Sequence, residues 1–161
     1  MTELDQVSKS DLMKANKPGL GFLDLPEAII EINPENLPPL VLAYVGDAVY
    51  ELYVRCRLVA SGLTRVGPLH QEAIKLVRAT CQAQFLHQIE ENLTEEEQRV
   101  MKRGRNAKSG HVPRSTEVVD YRWSTGLESI IGYLYLKRRY DRLQEILSRL
   151  PWPNTEKSTL E

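Results

Sequence analysis

Apolar residues recur at three- and four-residue steps over most of the chain, which is the spacing of helices that bury one face. The first such segment covers residues 38–62 and ends at Gly62. Its apolar face is formed by Val41, Val45, Ala48, Val49, Leu52, Cys56 and Val59. A second segment with the same spacing covers residues 68–89 and has Pro68 near its start, where proline is well tolerated. The pattern predicts one long helix over each segment.

The rest of the chain also favours helices. Thr94 followed by three glutamates is typical of a helix start, because a capping hydroxyl and early acids suit the positive end of the helix dipole. We expect this helix to end near Gly104, before a loop over 105–116, and two further helices to hold the apolar positions of 127–135 and 140–150. No segment alternates with a period of two, so the predicted fold class is all-α.

The helical pattern divides the chain into three parts. Residues 1–36 mix charges with proline and glycine and show no sustained apolar period, which predicts a partly flexible N-terminal lead-in. Residues 37–150 carry the helices, and residues 151–161 form a C-terminal tail. With 161 residues and 42% hydrophobic content, the chain is long enough to bury a core without disulfides or a structural metal.

Several functional classes find no support in the sequence. Cys56 and Cys81 lie far apart, so they indicate neither a zinc site nor a disulfide framework. The three histidines lack metal-ligand spacing, and neither a G-x-S-x-G motif nor a P-loop is present. No apolar run approaches the roughly 20 residues of a membrane span, and the N-terminus lacks a secretion signal. We therefore expect a cytoplasmic protein.

Asp47 is the one charged residue between Pro38 and Tyr50 in the first predicted helix, and it follows Gly46, which weakens a helix. Glu51 lies one turn later on the same face, and two neighbouring carboxylates suit a hard cation such as Mg²⁺. Alternatively, Asp47 faces water and Glu51 pairs with Arg55, which for Glu51 is the favoured interpretation. Spacing alone leaves the two interpretations of Asp47 about equal.

Glu128 is a second isolated acid, in an apolar helix whose next charged residue is Lys137. A metal site at Asp47 would need a second acid from a distant part of the sequence, and Glu128 is the candidate. Local pattern alone favours another role, because Thr125-Gly126-Leu127-Glu128 matches a capping box in which the glutamate satisfies a backbone donor.

A basic segment stands out although the formal net charge is only -1. Six positive charges and no acid occur in the sixteen residues 99–114, which is typical of a surface that contacts phosphates. Asn106, Ser109 and Gly110 add small donors and a flexible backbone. The candidate RNA-binding residues are Lys102, Arg103, Arg105, Asn106, Lys108, Ser109 and Arg114, with Arg99 beside them. The alternative is a solvated basic loop whose charge is offset by Glu95–Glu97.

Three ordered motifs resemble the Mini-ribonuclease III family: LAYVGDAVYE at 42–51, KRGRNAKSG at 102–110, and YRWST at 121–125 leading to ESIIGYLYL at 128–136. The resemblance covers about residues 37–150. It implies an all-helical, homodimeric ribonuclease III endonuclease domain, in which each subunit cuts one strand of double-stranded RNA.

The resemblance also implies roles for individual residues. Asp47 matches the catalytic aspartate of the family and Glu128 its metal-binding glutamate, and the two would hold Mg²⁺ for hydrolysis that leaves a 5′ phosphate and a 3′ hydroxyl. The sequence departs from full-length ribonuclease III, which has further acids where Leu40, Ala43 and Thr125 stand and carries a separate double-stranded-RNA-binding domain. Water would then complete the magnesium shell, and the basic segment would supply much of the grip on RNA.

The implied substrate is the precursor of 23S ribosomal RNA, whose paired ends are trimmed on both strands, and ribosomal proteins or the assembling large subunit could take part. One alternative is a non-catalytic dimer that binds double-stranded RNA or the ribosome. Asp47 argues against it, because a pure binder gains nothing from a carboxylate near phosphate. A helical interaction module with no nucleic-acid role is the third alternative.

Overall fold

The computed structural model describes residues 32–108, 110 and 117–152, and none of these residues lies in a strand. The all-α prediction is confirmed. The helices of the described part are α1 (Pro39–Ala60), α2 (Val66–Val77), α3 (Ala79–Ile89), α4 (Glu95–Arg105), α5 (Val118–Leu136) and α6 (Tyr140–Ser148). No helix within those ranges is long and apolar enough to cross a membrane.

The bounds of helix α1 match the prediction, but its predicted buried face is wrong, because α1 is apolar on more than one side and spacing does not reveal which side meets the core. Four residues of the predicted face are exposed: Val41, Ala48, Cys56 and Val59. Pro39 occupies the first turn, where its missing N–H costs nothing, and the chain turns away at Gly62 with a φ of 95° that glycine adopts readily. One face of α1 is buried, including Leu42, Tyr50 and Val54. The Tyr50 hydroxyl donates to the Leu76 carbonyl at 2.9 Å and thereby ties α1 to α2.

The prediction of one helix over 68–89 is wrong, because the segment forms two helices. Arg78 adopts an extended conformation with a ψ of 148° between α2 and α3. The break lets α2 pack on α1 while α3 packs on α5. The Gln82 side chain stabilises the break by donating from Nε2 to the Val77 carbonyl at 2.9 Å. Tertiary packing thus overrides a continuous helical pattern.

Helix α5 is the centre of the fold and packs against α1, α3 and α4. Nearly every side chain from Ser124 to Tyr135 is buried, which explains why this helix is apolar on all sides. Its first residue is Val118, so Glu128 lies in the middle of the helix rather than at its start.

Helices α1 and α5 cross at two glycines. A Cβ atom on Gly46 would stand 1.8 Å from the Glu128 carbonyl oxygen, and one on Gly132 would stand 1.9 Å from the Leu42 carbonyl oxygen. Any side chain at either position would push the two backbones apart. The close crossing accounts for a glycine beside Asp47 within a helix.

The start of α4 agrees with the sequence pattern and is fastened to α6. Thr94 and Glu97 form a capping box, with Glu97 N donating to Thr94 Oγ1 and Thr94 N donating to Glu97 Oε2. The buried Glu97 carboxylate also accepts from Arg142 at 2.8 and 2.9 Å. Helix α6 ends at Ser148, two residues before the predicted end.

The residues just before α1 contact the helical core. A short 3-10 turn over Pro34–Asn36 is capped by Asn33, whose Oδ1 accepts from Glu35 N. Arg103 on α4 donates to the Glu35 and Leu37 carbonyls at 3.1 and 3.0 Å. Lys137 pairs with the Glu35 carboxylate at 2.6 Å. Most of the predicted lead-in and of the tail, residues 1–31 and 153–161, lies outside the described residues.

Candidate active site

The crossing of α1 and α5 brings Asp47 and Glu128 to one place. Asp47 follows Gly46, whose Cα faces the main chain of Glu128, so the two acids are neighbours although 81 positions separate them in sequence. The charge of Asp47 acts directly on the Glu128 carboxyl group. The structure thus joins the two acids that the sequence left apart.

Burial and like charge together change the acidity of Glu128. Burial is the larger cause, the Asp47 charge adds to it, and together they raise the pKa of Glu128 from 4.5 to about 8. A hydrogen bond from the Gln82 side chain opposes the shift, and Glu51 adds a smaller increase. Such a carboxyl group stays mostly protonated at neutral pH unless positive charge arrives nearby.

Glu51 has the partner that the sequence favoured for it. Its carboxylate accepts from Arg55 at 3.0 Å, one turn away on α1. Glu51 still influences the site. Burial is the main cause that raises the pKa of Asp47, and the charge of Glu51 raises it further. Glu51 therefore contributes to the local negative potential while its own charge is paired.

The capping-box interpretation of Glu128 is wrong. Thr125 is buried inside α5 and its hydroxyl donates to the Tyr121 carbonyl at 2.9 Å, as a threonine within a helix does. No helix begins near Thr125, so the Glu128 carboxylate is not needed to satisfy a backbone donor.

Gln82 is a member of this site that sequence reasoning missed. Its side chain, only 2% exposed, belongs to α3 and reaches the Glu128 carboxyl group. The Oε1 atom of Gln82 is buried and has no hydrogen-bond partner among the described residues. The neighbouring sequence offers no signal for it, because its position depends on the break at Arg78.

The donor set of this site suits a hard cation that keeps much of its water. In the part of the chain that the structure describes, no group of three His, Cys, Asp or Glu side chains is arranged to hold a metal ion by itself. Two carboxylates, with the unpartnered amide oxygen of Gln82 nearby, are nevertheless the oxygen donors that Mg²⁺ accepts, since this ion is commonly held by one or two carboxylates and several waters. The mutual repulsion of Asp47 and Glu128 would be relieved by such an ion.

The candidate RNA-binding residues lie at and beyond the C-terminal end of α4. Lys102, Asn106 and Lys108 are exposed, whereas Ser109 and Arg114 lie outside the described residues. The Arg105 guanidinium stands 4.9 Å from the centre of the Trp123 ring, and its Nε donates to Asn106 Oδ1 at 3.4 Å. Trp123 precedes Glu128 by five residues, about 7.5 Å along the axis of α5.

Arg103 differs from the other basic residues of this segment. Both of its terminal nitrogens donate to carbonyls of the chain before α1. Its guanidinium therefore fastens that chain to α4 in this structure, while the neighbouring Lys102 is left to solvent. The charge pattern predicts the same role for Arg103 as for Lys102, because such a pattern does not reveal backbone acceptors.

The acids at the start of α4 do not offset the basic residues at its end. Glu96 binds Arg139, and Glu97 binds Arg142, so both acids are engaged with the α6 side of the molecule. They are separated from Lys102 and Arg105 by most of an 11-residue helix. The positive charge at the end of α4 is therefore not neutralised by them.

Comparison with known proteins agrees with this geometry. The model of the ribonuclease III domain matches residues 40–139. A Mini-ribonuclease 3 from Symbiobacterium thermophilum is 51% identical over 71% of this chain and 88% of its own length, and one from Thermoanaerobacter sp. is 44% identical over 81% and 92%. The crystal structure of protein FN1578 from Fusobacterium nucleatum superposes with a TM-score of 0.64 at 32% identity, covering 70% of this chain and 90% of that one.

The matched region includes every helix that contributes to the site, from α1 with Asp47 to α5 with Glu128. The relatives are covered over most of their length, so the likeness concerns whole proteins rather than a shared fragment. The chain therefore belongs to the ribonuclease III family of endoribonucleases.

Proposed function

We propose that the chain is a Mg²⁺-dependent endoribonuclease that cuts both strands of double-stranded RNA. The observation that carries the proposal is the juxtaposition of Asp47 and Glu128 at the α1–α5 crossing, where burial and like charge raise the pKa of Glu128 to about 8. Two acids held together in this way need a cation, and hydrolysis of a phosphodiester is chemistry that a hydrated cation serves.

The acids and the basic residues have separate roles in this proposal. The carboxylates of Asp47 and Glu128 would hold the ion, which when bound supplies a water of lowered pKa and positive charge against the phosphate oxygens. Lys102, Arg105, Asn106 and Lys108 would bind backbone phosphates and ribose hydroxyls near the site, and the predicted surface continues to Ser109 and Arg114. Products would carry a 5′ phosphate and a 3′ hydroxyl.

A homodimer would allow both strands to be cut. The outer face of α1 supports it, because Tyr44 is 81% exposed and Val41 43% exposed in this single chain. Tyr44, Ala48 and Leu52 follow helical spacing and line a surface cleft that also includes Asp47. A second copy covering this apolar face would set two acid sites on one two-fold-symmetric RNA-binding surface.

Kinship with the Mini-ribonuclease 3 proteins motivates the finer part of the proposal. We infer that the substrate is the paired stem at the ends of the 23S ribosomal RNA precursor, in the cytoplasm, with ribosomal proteins or the assembling large subunit as partners. Recognition would depend on the shape of an RNA helix, because side chains do not read bases in the deep groove of double-stranded RNA.

The test is cleavage of a defined RNA duplex with Mg²⁺ by the wild-type chain and by Asp47→Asn, with RNA binding measured separately. We expect the variant to lose at least about 100-fold in cleavage rate while it still binds RNA, because removing an electrostatic group from a hydrolytic site costs a few kcal/mol of the barrier. Glu72→Gln, at a partly exposed acid paired with Lys75 on α2, is the matched control and should cleave normally.

Two results would change the assignment. If the wild-type chain binds the duplex firmly and never cuts it, the protein is a binding module whose basic segment acts alone. If Asp47→Asn cleaves as fast as the Glu72→Gln control, the crossing of α1 and α5 is not the active site.

A further inference from the structure

Gln82 combines three properties that a purely apolar core position would not need. It is 2% exposed, it lies against the Glu128 carboxyl group, and its Oε1 atom is buried without a hydrogen-bond partner in the described part of the chain. Leaving a buried acceptor unsatisfied costs about 1–3 kcal/mol. An unsatisfied acceptor beside a pair of acids indicates a ligand that donates a hydrogen bond to it.

The orientation of the amide is determined by its neighbours. Nε2 donates to the Val77 carbonyl at 2.9 Å, and the side chain also donates toward Glu128. The Val77 carbonyl can only accept, so exchanging the oxygen and nitrogen of the amide would set oxygen against oxygen there. The two amide hydrogens are therefore used inside the protein, and Oε1 is the atom that remains available.

The role of stabilising a helix start does not explain the buried oxygen. Gln98 makes the same kind of bond, with its Nε2 donating at 3.3 Å to the carbonyl of Leu93, five residues earlier. Gln98 is nevertheless partly exposed, so its amide oxygen can reach water. Burial of the Gln82 amide beside Glu128 must therefore serve something other than the break between α2 and α3.

We propose that Gln82 is a positioning residue of the acid site: its Nε2 orients the Glu128 carboxylate, and its Oε1 accepts a hydrogen bond from water on the divalent cation. This inference rests on the proposed function. Waters bound to a cation turn their hydrogens outward, so they need acceptors, and a neutral amide oxygen is an acceptor that adds no negative charge to an already acidic site. Groups that act through metal-bound water or ligands commonly change metal affinity 10- to 100-fold.

The experiment measures Mn²⁺ binding to the full chain without RNA, by electron paramagnetic resonance, beside urea unfolding of the same samples. Gln82→Met keeps the side-chain length and removes both amide functions, and we expect it to weaken Mn²⁺ binding about 10-fold. Gln98→Met loses the equivalent bond at the start of α4 instead of α3, so it should lose stability but keep wild-type Mn²⁺ affinity. Asp47→Asn identifies which bound Mn²⁺ belongs to the site.

Each outcome decides the question. Folded Gln82→Met with wild-type Mn²⁺ affinity would overturn the positioning role while leaving the acid site intact. If Asp47→Asn leaves Mn²⁺ binding unchanged as well, the proposed metal site itself fails. Should Gln82→Met not fold, Gln82→Asn carries the test, because it keeps both amide functions but is one methylene too short to hold them in the same place; wild-type Mn²⁺ affinity in that variant would then contradict the proposal.

Discussion

At the scale of single residues, the environment of Glu128 converts an ordinary carboxylic acid into one that resists ionisation. Burial and the negative charges of Asp47 and Glu51 all disfavour its ionised form. Neither influence is visible in the local sequence, where Glu128 looks like a capping residue. The property arises only when α5 passes behind Gly46.

This environment predicts how stability depends on pH without a divalent cation. The unfolded chain releases the Glu128 proton near pH 4.5, whereas the folded chain keeps it to about pH 8. The unfolded state therefore gains from ionisation first, so the free energy of unfolding falls as pH rises through this window and levels off above it. Glu128→Gln, which imitates the neutral group, should be more stable than the wild type at pH 8.5 by a few kcal/mol, at about 1.4 kcal/mol per pKa unit.

Urea unfolding in EDTA at pH 4 and pH 8.5 measures this difference. The advantage of Glu128→Gln should nearly vanish at pH 4, and saturating Mg²⁺ should reduce it at pH 8.5 by stabilising only the wild-type carboxylate. Glu91→Gln, at an exposed acid on the turn after α3, serves as the control and should follow the wild type throughout. Parallel pH curves for Glu128→Gln and the wild type would show that this carboxyl group is not perturbed.

At the scale of elements, the parts that sequence predicted well are those determined by local chemistry. Helix α1 begins after proline, and α4 begins with the Thr94–Glu97 capping box, so both starts follow from neighbouring residues. The break at Arg78 and the contact of Gly46 with the Glu128 main chain depend on which helices meet. Both Asp47 and Glu128 were found as isolated acids in helices, but Gln82 needed the three-dimensional arrangement.

Helix α4 should direct its C-terminal end toward RNA. The substitutions Lys102→Gln and Arg105→Gln each remove one positive charge, and each should weaken the binding of any duplex sequence. Each should also reduce the slope of log affinity against log salt by about 0.9, because one phosphate contact is lost. Trp123 holds the Arg105 guanidinium, so loss of the ring should reproduce part of the Arg105 effect. Filter binding at several salt concentrations provides the slopes.

Lys75→Gln is the matched control for these two variants, because Lys75 is an exposed lysine on α2 whose charge is paired with Glu72 at 2.7 Å. Its salt slope should equal that of the wild type. If the Lys102 and Arg105 variants also keep the wild-type slope, the end of α4 does not contact phosphates. Another surface of the protein must then bind the RNA.

At the scale of the whole molecule, the helices form one core around α5, and the apolar face of α1 is left at the surface. Tyr44, Val41 and Ala48 together expose apolar surface to water. Such a surface is typical of an interaction site that another molecule covers. Because Asp47 borders the same cleft, whatever covers this face also comes close to the acid site. A second copy of the chain satisfies both conditions and provides one acid site for each strand of a duplex.

Sedimentation at micromolar concentration should therefore show a dimer for the wild type and a monomer for Tyr44→Glu, because a buried unpaired charge at an interface costs several kcal/mol. The monomer should keep its helical circular dichroism, since Tyr44 is 81% exposed in the single chain. Ile74→Glu introduces the same charge at an exposed apolar residue of α2 and should remain dimeric. If a Tyr44→Glu monomer still cuts both strands of a duplex in one encounter, the proposal that each subunit cuts one strand is contradicted. If the cuts in the two strands become independent of each other, that proposal is supported.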